Sequence, residues 1–409
     1  MAGVAAGGGV WCGKAPRPGV EAERAAPLAQ DYTVVLHNPA GGRGLDGPGI
    51  VRMPGGRLVV VVPMSPGGGK WLCRVLQSTD RGRTWQAVSE LPYYSAVPWL
   101  HEGMLYLFAH PEGTKFRNDD LILLRSTDSG ATWSDPVTLF PGHYWNCQTG
   151  MAIRDNRLYW AIDDLSLGMP KRGPRVVAGD LSRELMDPRA WRLSNMVPFP
   201  GLPEPLVHPK FSGSYPSTPM LEPNVILVNG QLRVLAAVKP VRQSTTNLCA
   251  VFDVTDDGRM LQLSFTQFHP MPGGQVKFCI LWDDASRLFW ATVNLAADGQ
   301  DVYGFQADPP EERGGRPYSG AIGGNDRRFL MLMYGLDGLN WFPAGCVARA
   351  GKLSQSFMYA SQVADGDDLA IVARSSVHSE NRHDADYATF HRVRDFRKLA
   401  MNLRPDGNA

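Results

Sequence analysis

The side chains of this 409-residue chain that can carry charge or move a proton gather in a few connecting segments. His143-Tyr144-Trp145-Asn146 sets an imidazole beside two aromatic rings, offering a sugar ring a stacking face together with a proton-transfer group. The densest polar stretch runs from His378 to Asp386 and includes His383 and Asp384. Its spacing resembles a metal loop, but on an irregular turn it reads as a hydrogen-bonded brace, and neither metal nor cofactor is expected. Arg374 ends an apolar run and must be paired wherever it is buried, as a substrate clamp or as the partner of Asp384 or Asp386. Tyr359 stands inside a Phe-Met-Tyr run and reads equally as a core ring or a site group, and Glu222 precedes Pro223. Elimination beside a carboxylate needs a cation for the carboxylate, a base for the proton and an acid for the leaving oxygen. His143, His208 or His383 could be the base, Tyr144, Tyr215 or Tyr359 the acid, and Arg242, Arg328 or Arg374 the cation.

Composition narrows the partners. With 41 basic and 40 acidic residues and a net charge of +1, no charge run points to nucleic acid, so the expected partner is a glycan or other small molecule. No run is long and apolar enough to span a membrane, so no membrane association is expected. Six cysteines without a CxxC pair exclude a zinc ribbon and make a disulfide scaffold unexpected; Cys73 and Cys279 lie in apolar runs and read as buried thiols. The segment from Met1 to Gln30 is rich in Ala and Gly, lacks the basic and apolar regions of a secretory signal, and reads as a flexible tail.

What positions these residues is a repeat. Ser78-Thr79-Asp80-Arg81-Gly82-Arg83-Thr84-Trp85 returns 48 residues later as Ser126-Thr127-Asp128-Ser129-Gly130-Ala131-Thr132-Trp133. Each copy suits a tight turn: Ser and Asp bond the backbone, Gly takes a positive φ, and Thr-Trp starts the returning strand. With 44 Gly and 32 Pro punctuating strand-like runs and no amphipathic helix pattern, the chain reads as all-β. The runs group into six units, beginning near Ile50, Ala96, Met151, Asn224, Lys277 and Phe357. The last unit is one strand short, and Tyr32 to His37 is the free run that would complete it. Two connections, Phe199 to Glu222 and Leu295 to Arg327, are 24 and 33 residues long, which suggests a binding wall or a lid.

The two octapeptides resemble the Asp boxes of the sialidase superfamily of β-propellers, where the box closes the outer hairpin of a blade away from the active site. The resemblance implies a six-bladed β-propeller with four antiparallel strands per blade and a site at the axis. It places a single domain over 31–400 between tails 1–30 and 401–409. Site residues transfer unevenly. The Arg-Ile-Pro triplet, whose Arg helps clamp the substrate carboxylate in the family, falls on Asp46-Gly47-Pro48. The loop for the catalytic Asp reads Ser65-Pro66-Gly67-Gly68-Gly69-Lys70 and holds no acid. In the fourth unit Glu222 and Asn229-Gly230 match, but the following Arg falls near Ala237, leaving Lys239 as the nearby cation. Tyr359-Ala360-Ser361 resembles the segment carrying the family's nucleophile, which the Glu activates.

The resemblance therefore implies a glycosidase of exo-sialidase-like type acting on acidic or deoxy-sugar glycans. Its expected axial pocket is formed by Asp46, His143, Tyr215, Glu222, Arg242, Arg328, Tyr359, Arg374 and His383, with Tyr144, Trp145 and Lys239 binding substrate. Uronate lyases such as ulvan lyases and rhamnosidase-like enzymes on related propellers are also similar in their use of His and Tyr near the axis. A lyase with a His/Tyr pair and a non-catalytic glycan-binding propeller are the alternatives.

Overall fold

A computed structural model describes residues 26–38, 44–67, 70–111, 119–168, 171–203, 220–239, 247–296, 326–352, 354–379 and 382–401. After β1 (Thr33–His37) the chain folds into successive antiparallel meanders. The first comprises β2 (Gly49–Arg52), β3 (Leu58–Gly67), β4 (Lys70–Ser78) and β5 (Gln86–Leu91). Next come β6 (Tyr93–His101), β7 (Met104–Pro111), β8 (Asp119–Ser126) and β9 (Val137–Trp145), then β10 (Ala152–Arg154), β11 (Arg157–Asp164), β12 (Gly173–Asp180) and β13 (Trp191–Leu193). They are followed by β14 (Met220–Val228), β15 (Gln231–Val238), β16 (Leu248–Asp256) and β17 (Leu261–Pro270). A further meander holds β18 (Cys279–Asp283), β19 (Leu288–Leu295), β20 (Phe329–Gly335) and β21 (Trp341–Arg349). The chain finishes with β22 (Ser356–Asp365), β23 (Asp368–Ser376) and β24 (Tyr387–Val393).

Among the described residues five sheets result, four of four strands and one of eight. The sequence leads one to expect separate sheets throughout. The exception arises because β9 runs on past its own hairpin until Trp145 and Tyr144 pair with Asp163 and Asp164 of β11, joining two meanders. The last meander takes its fourth strand from the N-terminus, with Thr33 opposite Phe390 and His37 opposite Tyr387, so the expected closure by Tyr32 to His37 is present.

The strands are graded by position. Middle strands such as β3, with Leu58 through Val62 all at 0 % exposure, are apolar on both faces because a neighbouring meander covers each one. Outer strands such as β5 and β17 face water along much of their length. The core accordingly divides into clusters between successive meanders. One joins Val59 and Val61 to Leu105 and Leu107. Another joins Leu58 and Val60 to Ala370 and Val372, bringing the first meander against the last. Each fully buried Val or Leu contributes about 1.5–3 kcal/mol.

The octapeptide turns lie between the third and fourth strands of their meanders. In the second copy Ser126 Oγ donates to Asp128 Oδ1 at 2.8 Å, and Gly130 N donates to Ser126 Oγ at 2.8 Å. Thr132 N and Oγ1 donate to the two oxygens of Asp128 at 2.9 and 2.6 Å. The first copy makes the same bonds from Ser78, Gly82 and Thr84 around Asp80. Each turn also leans on the preceding meander. Trp133 Nε1 donates to Ser89 Oγ, and Trp85 meets Phe390 edge-on at 5.3 Å. Gly82 is needed twice over, for φ +86° and because a Cβ there would stand 2.2 Å from Phe390 Cε1.

The termini differ from expectation at one point. Leu28 N and Ala29 N donate to Cys346 O and Val347 O, so the end of the presumed tail is docked on β21. Residues 1–25 and 402–409 lie outside the described residues. Cys73 and Cys279 are buried free thiols, and no described helix is long and apolar enough to cross a membrane.

The Asp128 turn has a measurable cost of removal. Asp128→Ala is expected to lower stability by about 1 kcal/mol in urea unfolding at neutral pH. Its Thr132 bonds hold the carboxyl down at about 2, against an ordinary value of about 3.9. A depressed carboxyl stabilises fully above that ordinary value and loses its effect as pH falls toward 2. The difference between variant and wild type should therefore shrink over that interval.

Candidate active site

Among the described residues, two spaces near the axis bear on function. The larger, about 740 Å³, is lined by the first strands of the meanders and opens among the Asn229-Gly230 and Asp283–Leu288 turns. Its walls are largely aliphatic; of its charged residues, Asp284 and Arg287 are exposed, and half-buried Arg52 is paired with Asp365 at 2.6 Å. The smaller, about 20 Å³, has room for about one water and is lined by Leu45, Asp46, Trp71, Trp145, Tyr359, Arg374 and His383. Groups able to perform acid, base and nucleophilic chemistry converge at the smaller one.

Its centre is built by two distorted strands. In β14 the pairing with β15 slips between Leu221 and Asn224, and in β22 the pairing with β23 slips between Met358 and Ser361. These bulges set Glu222 at φ 56° and Tyr359 at φ 51°, a left-handed conformation that costs about 1–3 kcal/mol for a non-glycine residue. The distortion aims both side chains inward, leaving Glu222 at 0 % exposure and Tyr359 at 8 %.

The surroundings set their protonation. Glu222 N donates to Asp163 Oδ2 at 2.9 Å, and Asp163 is ion-paired with Arg172 at 2.5 Å, both side chains 1 % exposed. Arg172 also lies 5.1 Å from the Trp145 ring centre. Burial drives the Glu222 carboxyl up to about 7; Asp163 adds to the rise, while Arg172, the Tyr359 hydroxyl and Arg327 oppose it. Neither Glu222 oxygen has a full hydrogen bond among the described residues, so the carboxyl is held near Tyr359 but remains able to accept a proton. Burial and then the Glu222 charge raise the Tyr359 phenol well above its ordinary value, with Arg327 and Arg374 acting in the other direction. The two guanidinium carbons stand 5.2 and 5.1 Å from the Tyr359 ring centre. At neutral pH the proton thus rests on the phenol, beside a carboxyl whose pKa suits a general base.

Asp46 forms the opposite wall. Its Oδ1 accepts from Arg374 Nη1 at 3.1 Å and from Gly47 N, and its Oδ2 accepts from the Tyr94 hydroxyl. Arg374 also donates to the His383 carbonyl. The sequence offered Asp384 and Asp386 as partners for Arg374. The structure gives it Asp46, because Asp386 is occupied by the amides of Val377 and His378, and Asp384 by His383 Nδ1 at 2.9 Å.

Asp46, Trp145, Tyr359, Arg374 and His383 are therefore brought together, with Glu222 against Tyr359. Other expected residues lie elsewhere. His143 is exposed and near Asp119. Tyr144 packs in the core between the second and third meanders, its hydroxyl on Pro141 O. Arg328 folds back on Asp326 at 2.9 Å. Lys239 is half-buried at the end of β15. His208, Tyr215 and Arg242 lie outside the described residues. Among the described residues no group of three or more His, Cys, Asp or Glu could hold a metal ion.

Sequence reasoning missed Arg327, Arg172, Asp163 and Tyr94. Arg327 and Arg328 are adjacent, and only strand register decides that the first meets Tyr359. Asp163 carried a signal, an acid closing the fully buried run Tyr159 to Ile162.

No protein-family model matches the chain, and no curated protein sequence does. Solved structures do match, and they define the class: the fold is that of the sialidase-like β-propellers. The particular likenesses include a Penicillium chrysogenum α-L-arabinanase complexed with arabinobiose, 13 % identical over 92 % of this chain and 100 % of that one, with a TM-score of 0.55. A GH93 α-L-arabinofuranosidase of Fusarium graminearum is 9 % identical over 90 % of this chain and 98 % of that one, also at 0.55. Trypanosoma rangeli sialidase is 14 % identical over 92 % of this chain but 61 % of its own length, at 0.59.

The raised Glu222 pKa makes a prediction that does not depend on a substrate. A carboxyl raised to about 7 from an ordinary 4.3 or so favours the fold below the lower value and loses that benefit as pH rises through the higher one. Glu222→Gln should therefore be more stable than wild type at pH 8 and close to it at pH 4 in urea titrations.

Proposed function

We propose that this chain is a glycoside hydrolase acting at the axis of a six-bladed propeller, with one domain spanning 31–400 and a glycan as its partner. The observation that carries this reading is the Tyr359–Glu222 pair, two buried groups with complementary protonation, each on a strained bulge. The Glu222 carboxylate takes the phenol proton as Tyr359 Oη bonds to the anomeric carbon. The glycosidic bond breaks, and His383, held by Asp384, protonates the leaving oxygen. Water then displaces Tyr359 from the sugar with the proton movements reversed.

Arg327, 5.2 Å from the Tyr359 ring centre, supplies positive charge for an acidic glycan. The pairing of Arg374 with Asp46 makes that corner unfavourable for a carboxylate and favours deoxy or uncharged sugars there. The arabinobiose complexes among the structural neighbours support the same preference. A second reading, elimination at a uronate, draws on His383 and Tyr359 lining one space.

Incubation with arabinosides, rhamnosides, sialosides and uronate polysaccharides separates these readings. New reducing ends without ultraviolet absorbance are expected. Absorbance from an unsaturated uronate would establish elimination instead, and binding without products would establish a lectin. Tyr359→Phe should lower kcat by about 10³-fold or more with little change in melting temperature. Full activity in that variant would remove Tyr359 from the mechanism.

A further inference from the structure

We propose that Lys277 is a positioning residue that holds the Tyr359 bulge in its working conformation. The inference rests on the reading of Tyr359 as the nucleophile.

Lys277 lies just before β18 and is 2 % exposed. An ammonium has three donors, and these reach three consecutive residues of the neighbouring meander. They go to Tyr359 O at 3.3 Å, Ala360 O at 2.5 Å and Ser361 Oγ at 3.0 Å. Tyr359 and Ala360 are the two residues that β22 leaves unpaired between Met358 and Ser361. With no ladder partner for this stretch, their buried carbonyls take hydrogen bonds from Lys277 instead. The charge-assisted bonds turn both carbonyls toward one point, which suits the left-handed φ of Tyr359.

Lys277 stands two residues before β18, the first strand of the meander that packs beside β22. Ser361 Oγ passes the link on, donating to Pro48 O at 2.8 Å. Gly47 lets the first meander approach, since a Cβ there would be 3.3 Å from Tyr359 Cδ1. Without the ammonium, two buried carbonyls lose their donor, the bulge relaxes toward negative φ, and the hydroxyl leaves Glu222.

The test compares wild type with Lys277→Met, Lys277→Ala and the milder Lys277→Gln, using whichever glycoside the wild type cleaves. Misplacing a nucleophile by about 1 Å costs about 10²-fold, so Lys277→Met should lose about that much in kcat with KM changed by less than about threefold. Propylammonium in the buffer should restore part of the Lys277→Ala rate, and Lys277→Gln should fall between. A crystal structure of Lys277→Met, or of Lys277→Gln if the first does not fold, should show residue 359 outside the left-handed region. Unchanged kcat, or a left-handed Tyr359 still against Glu222 in the variant, would overturn the proposal. If wild type cleaves no glycoside, the functional reading fails, and the variant structure still decides whether Lys277 sets the bulge.

Discussion

A ring of sheets leaves no edge only if its last sheet is completed from the other end of the chain. Here β1 supplies the missing strand beside β24, while Leu58 and Val60 of the first meander pack on Ala370 and Val372 of the last. Every residue at the axis depends on this closure. Tyr359 comes from the last meander, Asp46 from just before the first and Glu222 from between them, and no local segment could bring them together. The octapeptide turns serve the same end from outside, since the Trp85 turn sits on Phe390 of the closing sheet.

Closure positions the backbone, and local strain directs the side chains. A regular strand points alternate residues to its two faces and would leave the axial position to whichever residue the register placed there. Bulges at Glu222 and Tyr359 break that alternation where β14 and β22 reach the axis. The distorted backbone is secured by buried charge. Asp163, paired with Arg172, accepts the Glu222 amide, and Lys277 binds the carbonyls beside Tyr359. Ions so deeply buried are costly unless geometry and hydrogen bonds compensate. Here each is bonded to the backbone of a bulge, Asp163 at Glu222 and Lys277 at Tyr359 and Ala360.

The fold is shared with sialidase and arabinan-degrading propellers, but the side chains at the axis form their own pattern. Where the sialidase resemblance calls for an arginine, the chain has Asp46, and a guanidinium reaches that corner from Arg374 on β23. The charge at this corner is therefore paired within the protein.

Sequence by itself determined the features that rest on local chemistry. The Ser-Asp-Gly-Thr-Trp turns, the strand runs between Gly and Asn turns, and the spare run at Tyr32 to His37 are written in neighbouring residues. Glu222 and Tyr359 were also legible, each through a short segment. Tertiary structure decided the rest, because partners far apart in the chain are chosen by register and closure. It put Arg327 rather than Arg328 beside Tyr359, gave Arg374 to Asp46 across 328 positions, and sent Lys277 to a bulge in the next meander. Tyr144, in a segment that looked functional, became core because β9 extended to pair with β11 and buried its ring between meanders. A side chain's type fixes what it can do, and its role follows from the groups that packing places within a few ångströms of it.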